Sequence, residues 1–203
     1  MKYSLSILIA LIFLIAACNN KKPENTAGSP ESIETKSAQD MIKNNTESLS
    51  NTGNDIQKRM EDLKKLPPLS LEALKKILPE EINGVKRSNY SATAMGGTGF
   101  VNGKYKMSDD STIEIVVSDC AGPMGAGIYS AQFMTFYNFE QEDDNGYTKT
   151  TTFDGHKAVE RFEKNNNEYN ITYFTGDRFL INLKGENVTK DQLTTASKSI
   201  NLK

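Results

Sequence analysis

An uninterrupted apolar run near the start of the chain is the sequence feature that most constrains where the protein is located and what this segment can form. Residues 7–17 carry eleven apolar side chains in succession, after the basic residue Lys2. A helix rises about 1.5 Å per residue, so the run falls well short of the roughly 30 Å hydrocarbon core of a bilayer. Its length is typical of the apolar core of a secretory signal peptide, and the small residues Ala16 and Ala17 end it. We therefore predict a signal peptide over residues 1–17 and no stable membrane-spanning helix there.

The residues that end this run form a more specific motif. Ile15, Ala16 and Ala17 are followed at once by Cys18 and then by a polar stretch. The segment resembles the lipobox of bacterial lipoproteins, in which a branched apolar residue and two small residues precede a cysteine. The resemblance implies that Cys18 is the lipid attachment site and the first mature residue, with diacylglycerol on its thiol and an acyl chain such as palmitate on its amino group. An ordinary secretory signal that ends near a cysteine is the alternative.

The residue after the cysteine bears on location. Position 19 is Asn and not Asp, and by the sorting pattern of lipoproteins in double-membraned bacteria the resemblance implies the outer membrane, with the periplasmic and surface faces both open. The expected partners are membrane lipid, through acylated Cys18, and an envelope protein. The formal net charge of -2 and the pI near 5.6 argue against a nucleic-acid partner.

A polar segment separates the motif from the rest of the chain. Residues 18–54 are rich in Asn, Ser, Thr, Lys and Glu, and they include Pro23 and Pro30. Such a segment buries too little apolar surface to offset the entropy lost on ordering. We predict a flexible tether with a root-mean-square span on the order of 30–40 Å.

An amphipathic helix is predicted next, over residues 55–66. Asn54 with Gln57 fits a capping box, and charged residues occupy one side of the predicted helix. The apolar residues of the other side are Ile56, Met60 and Leu63. A surface or stalk helix and a partner-binding helix are both compatible with this pattern.

Residues 67–203 are predicted to form one α+β domain that begins at the Pro67-Pro68 break. Ser70 caps a short helix that ends at Pro79, and further helices are predicted from Ile128 to about Phe139 and over residues 189–199. A flexible glycine-rich segment, residues 96–99, interrupts the first strand region, and an acidic turn covers residues 140–146. The predicted strands are residues 85–94, 100–107, 112–118, 147–153, 156–162, 168–174 and 178–184.

Short turns between consecutive strands favour an antiparallel sheet. The predicted fold is therefore a two-layer α+β sandwich, an antiparallel sheet with helices on one face, preceded by a disordered tether. The order of elements is loosely similar to that of small envelope domains of the PsbP/DcrB type.

Two glycine-containing patterns partly resemble nucleotide-binding motifs. Gly122 and Gly127 have the spacing of glycines in a phosphate loop, but Ile128 and Tyr129 follow where Lys and Ser or Thr are needed. A dinucleotide fingerprint fails at Ser130, which stands in place of the third glycine. We predict no nucleotide cofactor and keep only a small-anion site at the start of the helix as an alternative.

Catalytic and metal-binding candidates are sparse. Cys120 with His156, oriented by Asp119, is a candidate for an anchored hydrolase, although a lone cysteine at a strand end is usually a small buried residue. An acidic metal site is the other candidate, but its spacing is not that of an EF-hand. The acidic residues are Glu140, Glu142, Asp143 and Asp144.

The aromatic residues have strand spacing and favour a core over a ligand platform. They are Tyr169, Tyr173, Phe174 and Phe179. Because no complete catalytic set is present, the favoured function is a non-enzymatic binding or interaction module held at the envelope by acylated Cys18. The alternative is a membrane-anchored hydrolase that uses Cys120 and His156 or the acidic site.

Overall fold

The computed structural model describes residues 53–133 and 138–202 of the chain. The strands are β1 Glu81–Ile82, β2 Val85–Met95, β3 Thr98–Lys106, β4 Thr112–Asp119, β5 Glu140–Asp143, β6 Gly146–Phe153, β7 His156–Glu163, β8 Glu168–Thr175 and β9 Phe179–Glu186. The helices are α1 (residues 53–65), α2 Leu71–Leu74, α3 Gly122–Phe133 and α4 Lys190–Lys198. The predicted signal peptide, Cys18 and most of the predicted tether lie outside these residues.

All nine strands form one antiparallel sheet, in the order β1-β2-β3-β4-β9-β8-β7-β6-β5. The first four strands make one meander and the last five make another. The two meanders join where β4 pairs with β9, with Ile115 opposite Leu183. The prediction of an antiparallel sheet with helices is confirmed.

The helices cover both faces of the sheet and not one face as predicted. We call the face that carries Ile181 the core face, because α2, α4 and most buried strand residues pack there. We call the face that carries Leu180 the outer face, where Leu63 of α1 and Tyr129 of α3 pack. Since successive strand residues point to opposite faces, Leu180 and Ile181 lie in different clusters. The buried residues of α1 and α3 therefore pack against the outer face of the sheet.

Several predicted boundaries are wrong for identifiable reasons. The described part of α1 already includes residue 53, so Asn54 lies inside the helix and is not its N-cap. Residues 96–97 are the two-residue turn of the β2–β3 hairpin, and Gly96 and Gly97 have φ values of +62° and +81°. Positive φ at both loop positions is what a type I′ turn requires, and glycine adopts it at no steric cost.

The predicted helix over residues 128–139 starts earlier, at Gly122, and its described part ends at Phe133. The predicted acidic turn over residues 140–146 begins as a strand, β5, which pairs with β6. Both errors have one cause: tertiary packing and strand pairing override the local signals of Gly and of acidic residues. The predicted cap at Ser70 is confirmed, because Ser70 accepts a hydrogen bond from the backbone N–H of Ala73, but α2 ends at Leu74 and not at Pro79. At the start of the predicted last helix, Thr189 forms a capping box with Gln192.

A buried ion pair fixes the chain at one end of the sheet. The wholly buried carboxylate of Asp119 accepts two hydrogen bonds from Arg178, from Nε at 2.9 Å and Nη2 at 2.8 Å. It also accepts from the backbone N–H groups of Leu69 and Ala121. The backbone carbonyl of Asp119 accepts from Thr98 Oγ1 at 2.7 Å. One residue therefore joins β4, β9, the start of β3 and the segment between α1 and α2.

Within the two described ranges, no helix is both long enough and apolar enough to span a bilayer.

Candidate interaction surface

The residues that the sequence offers for catalysis lie on different faces of the sheet. Cys120 is fully buried in the outer-face cluster, and its thiol donates to the carbonyl oxygen of Ser118 at 3.9 Å. His156 lies on the core face, where its ring stacks on Tyr173 and its Nε2 is 3.1 Å from Oγ1 of Thr175. The structure therefore does not bring Cys120 and His156 together.

Burial also works against a nucleophilic role for the cysteine. It raises the pKa of the Cys120 thiol to about 12, and the neighbouring carboxylate of Asp119 adds to the rise. The thiolate is the reactive form of cysteine, so at neutral pH Cys120 is an apolar packing group. Asp119, considered as the group that orients His156, instead binds Arg178.

The glycine-rich segment before α3 is explained by packing. A Cβ atom on Gly125 would lie 2.4 Å from the backbone carbon of Cys120, so the helix approaches that residue too closely for any side chain. The sequence pattern resembled a phosphate loop because both need glycine for close approach of backbone. Nothing besides the start of the helix points to an anion there.

The acidic segment forms the first strand and the turn of the β5–β6 hairpin. Glu140, Glu142 and Asp143 lie in β5 with exposed side chains. The Oδ1 atom of Asp143 accepts from the backbone N–H groups of Asn145 and Gly146, at 2.8 and 3.1 Å. Among residues 53–133 and 138–202, no group of three or more His, Cys, Asp or Glu side chains could hold a metal ion.

The four aromatic residues of the candidate platform do not share a face. Tyr173 and Phe179 are buried on the core face, and Tyr169 packs beside them against Phe162 with ring centroids 4.5 Å apart. Phe174 lies on the outer face against Tyr129, at 4.7 Å. They are packing residues and do not form one ligand surface.

A second buried carboxylate was missed by the sequence analysis. Glu160 of β7 is 3% exposed, accepts a hydrogen bond from the Tyr147 hydroxyl and forms an ion pair with Lys190 at 2.6 Å. Burial, and then the hydrogen bond with Glu160, raise the pKa of Tyr147. Because Lys190 is the first residue of α4, this cluster attaches the helix to the sheet.

The outer edge of β2 is the surface of the described structure on which a further strand could pair. Strand β1 covers only Val85 and Lys86 of that edge, and Arg87 donates its backbone N–H to Glu80. The register then shifts between Ser88 and Ser91. Of the described residues, none pairs with the outer side of residues 91–95, the segment that we call the open edge.

The hairpin register identifies which backbone groups of the open edge point outward. Met95 pairs with Thr98 across the two-residue turn, so their backbone groups bond to each other, and the direction alternates along the strand. The N–H of Ser91 points inward accordingly, and donates to Oδ1 of Asn102 at 3.1 Å. The outward N–H and C=O groups are therefore those of Ala92 and Ala94.

Apolar side chains flank the open edge. Met95 is 67% exposed and Met124 of α3 is 50% exposed, and the Met124 methyl group lies next to Gly96 of the turn. Leu71, also exposed, belongs to α2, which lies against β2. Of the four large hydrophobic side chains that are exposed in the described parts of the chain, Met95 and Met124 lie at the turn that ends the open edge, Leu71 lies on the helix packed against β2, and the fourth is Phe139.

The opposite edge of the same sheet is protected. Strand β5 has only four residues, and three of them are acidic, which is a common means of preventing edge-to-edge pairing. The open edge instead lies in a stretch of sixteen residues, Ser88 to Gly103, that contains no charged residue in a chain with 25% charged residues. That uncharged window is the sequence signal by which the surface could have been found.

Comparisons of the chain with protein-family models, with curated proteins and with solved structures found no match.

Proposed function

We propose that this chain is a lipid-anchored bacterial envelope lipoprotein whose α+β domain acts as a non-enzymatic interaction module. The observation that carries the interaction part is the open edge of β2, with two outward-facing alanine backbones and exposed methionines beside it. Addition of a strand to such an edge supplies main-chain hydrogen bonds to a partner, and adjacent side chains supply specificity.

The anchoring part rests on the sequence Ile15-Ala16-Ala17-Cys18. Acyl chains on Cys18 would hold the protein at the outer membrane, since one chain gives marginal binding and two or more give stable binding. The predicted tether over residues 18–54 would let the domain reach partners some tens of ångströms from the lipid headgroups. The similarity to PsbP/DcrB-type envelope domains is kept as part of this proposal.

The hydrolase alternative receives no support, because Cys120 and His156 lie on different faces and the Cys120 thiol is protonated at neutral pH. The acidic residues of β5 are exposed, and Asp143 accepts hydrogen bonds from the backbone of the hairpin turn. An interaction role needs none of these groups to react.

One experiment with two variants tests the proposal. Full-length chain, Cys18→Ala and Thr93→Lys are expressed in a double-membraned bacterium and followed by membrane fractionation, acyl labelling and chemical cross-linking. Cys18→Ala should lose acyl labelling and leave the membrane fraction. Thr93→Lys should stay anchored but lose its cross-linked partner, because a charge on the open edge disfavours strand addition.

A matched control carries the same change at the other edge of the sheet. Gln141→Lys in β5 should leave anchoring and cross-linking as in the unsubstituted protein. Membrane retention and labelling of Cys18→Ala would refute the anchor, and equal cross-linking of the two lysine variants would refute the interaction surface.

A further inference from the structure

We propose that the partner of the open edge is a second copy of this chain, paired antiparallel about a two-fold axis through Thr93. This inference names the partner of the proposed interaction module and rests on that function. A two-fold axis at Thr93 places each Ala92 opposite Ala94 of the second copy. These are the residues whose N–H and C=O groups point outward, so each such pair exchanges two hydrogen bonds.

The segment is complementary to itself in charge. No charged residue occurs from Ser88 to Gly103, so the two paired strand segments bring only neutral side chains together. The same operation on β5 would bring acidic residues of the two copies close to one another, which is unfavourable. Of the two sheet edges, only the open edge can therefore pair with itself without repulsion.

The side chains fit a close approach. Ala92 and Ala94 lie opposite Val101 and Gly99 in the register, so both point to the core face, beside α2. Their methyl groups leave room there for an incoming strand. Ser91, Thr93 and Met95 point to the outer face, and the exposed Met95 and Met124 give the pair apolar surface to cover.

The interface between the two copies is small, so stable pairing requires that both copies are held at the same membrane. Two proteins in solution lose much translational and rotational freedom on association, and four main-chain hydrogen bonds offset only part of that loss. Lipid anchors hold both copies in one plane and raise their effective concentration. We therefore expect pairing at the membrane to exceed pairing of the same chain in detergent at low concentration.

The two-fold register makes a sharp prediction for a cysteine at its centre. Thr93 and its counterpart form a non-hydrogen-bonded pair, with Cα atoms about 4.5 Å apart, which is within the range that a disulfide bridges. Thr93→Cys in membrane-anchored full-length chain should form a disulfide-linked dimer on mild oxidation. Ala94→Cys, one residue away, faces Ala92 of the second copy and should form on the order of tenfold less dimer.

The controls separate the possible outcomes. Because the Cys18 thiol is acylated in the anchored chain, the unsubstituted chain gives the background from Cys120. Thr93→Lys should reduce amine-reactive cross-linking between copies where Gln141→Lys does not. Equal dimer from Thr93→Cys and Ala94→Cys, or dimer from neither, overturns the second copy as partner. If Thr93→Lys then still loses a cross-linked protein of different mass, the proposed interaction function stands and only its partner changes.

Discussion

The two buried carboxylates of the sheet, Asp119 and Glu160, differ in their hydrogen-bond partners and in the exposure of the cation that each one binds. Asp119 is fully buried and has four donors: two from the Arg178 guanidinium and two from backbone N–H groups. Glu160 is almost as buried, but it has one hydroxyl, from Tyr147, and one ammonium, from Lys190, whose side chain is 44% exposed. The cation of the first site is 19% exposed and bound at two points, whereas the cation of the second is 44% exposed and more accessible to water.

The difference shows what each site positions. The planar guanidinium of Arg178 binds Asp119 at two points and so defines an orientation, whereas the ammonium of Lys190 is a compact charge on a flexible stem. Through Thr98, Asp119 also holds the start of β3, directly after the turn that ends the open edge. The Asp119 site thus supports the proposed interaction surface, and the Glu160 site attaches α4.

The largest effect is expected from Arg178→Ala. Removal of one partner from a buried pair leaves an uncompensated charge, so the free energy of unfolding should fall by about 3–5 kcal/mol. Urea denaturation of the full-length chain, followed by circular dichroism, measures the change. Arg178→Lys keeps the charge without the bidentate geometry and should recover part of the loss; no loss in Arg178→Ala would mean that Asp119 is not a structural centre.

A smaller effect is expected from Lys190→Met, which keeps the apolar stem and removes the charge beside Glu160. Water reaches this site, so the free energy of unfolding should fall by about 1.5–3 kcal/mol, the range for a hydrogen bond to a charged group. The same denaturation assay applies. The exposed pair of Lys65 with Asp62 supplies the control, because Lys65→Met should change nothing measurable. If Lys190→Met lowered the free energy of unfolding as much as Arg178→Ala, the proposed difference between the two sites would be wrong.

The smallest effect is expected from Tyr147→Phe, at about 1 kcal/mol at neutral pH for one hydrogen bond. The folded pKa of Tyr147 is raised above its ordinary value. Its contribution is therefore complete below the unfolded pKa of about 10 and declines as the pH rises beyond it, because the unfolded chain ionises first. Unfolding curves from pH 7 to pH 11 should show the variant losing stability less steeply than the parent. Parallel curves would contradict the link between Tyr147 and Glu160.

The open edge illustrates what local patterns conveyed and what they did not. The Gly-rich residues 96–99 indicate an interruption of the strand region. The pair Gly96-Gly97, with a strand on each side, is equally typical of a hairpin turn. The absence of charge from Ser88 to Gly103 is visible in the sequence, but it does not by itself show that the stretch lies at a sheet edge. Whether that stretch lay at an edge depended on pairing with β1, and β1 has only two residues.

The sequence by itself determined the helix cap at Ser70, the last helix from about Thr189 and the alternation of strands β4 and β9, because these signals arise between residues a few positions apart. It also contains the motif on which the proposed anchor at Cys18 depends. The tertiary structure alone decided that β4 and β9 are neighbours, that helices cover both faces, and that Asp119 meets Arg178 and Glu160 meets Lys190. Those contacts join residues far apart in the chain, and no local preference specifies them; they form because burial of apolar surface brings the strands together and each buried charge then requires a partner.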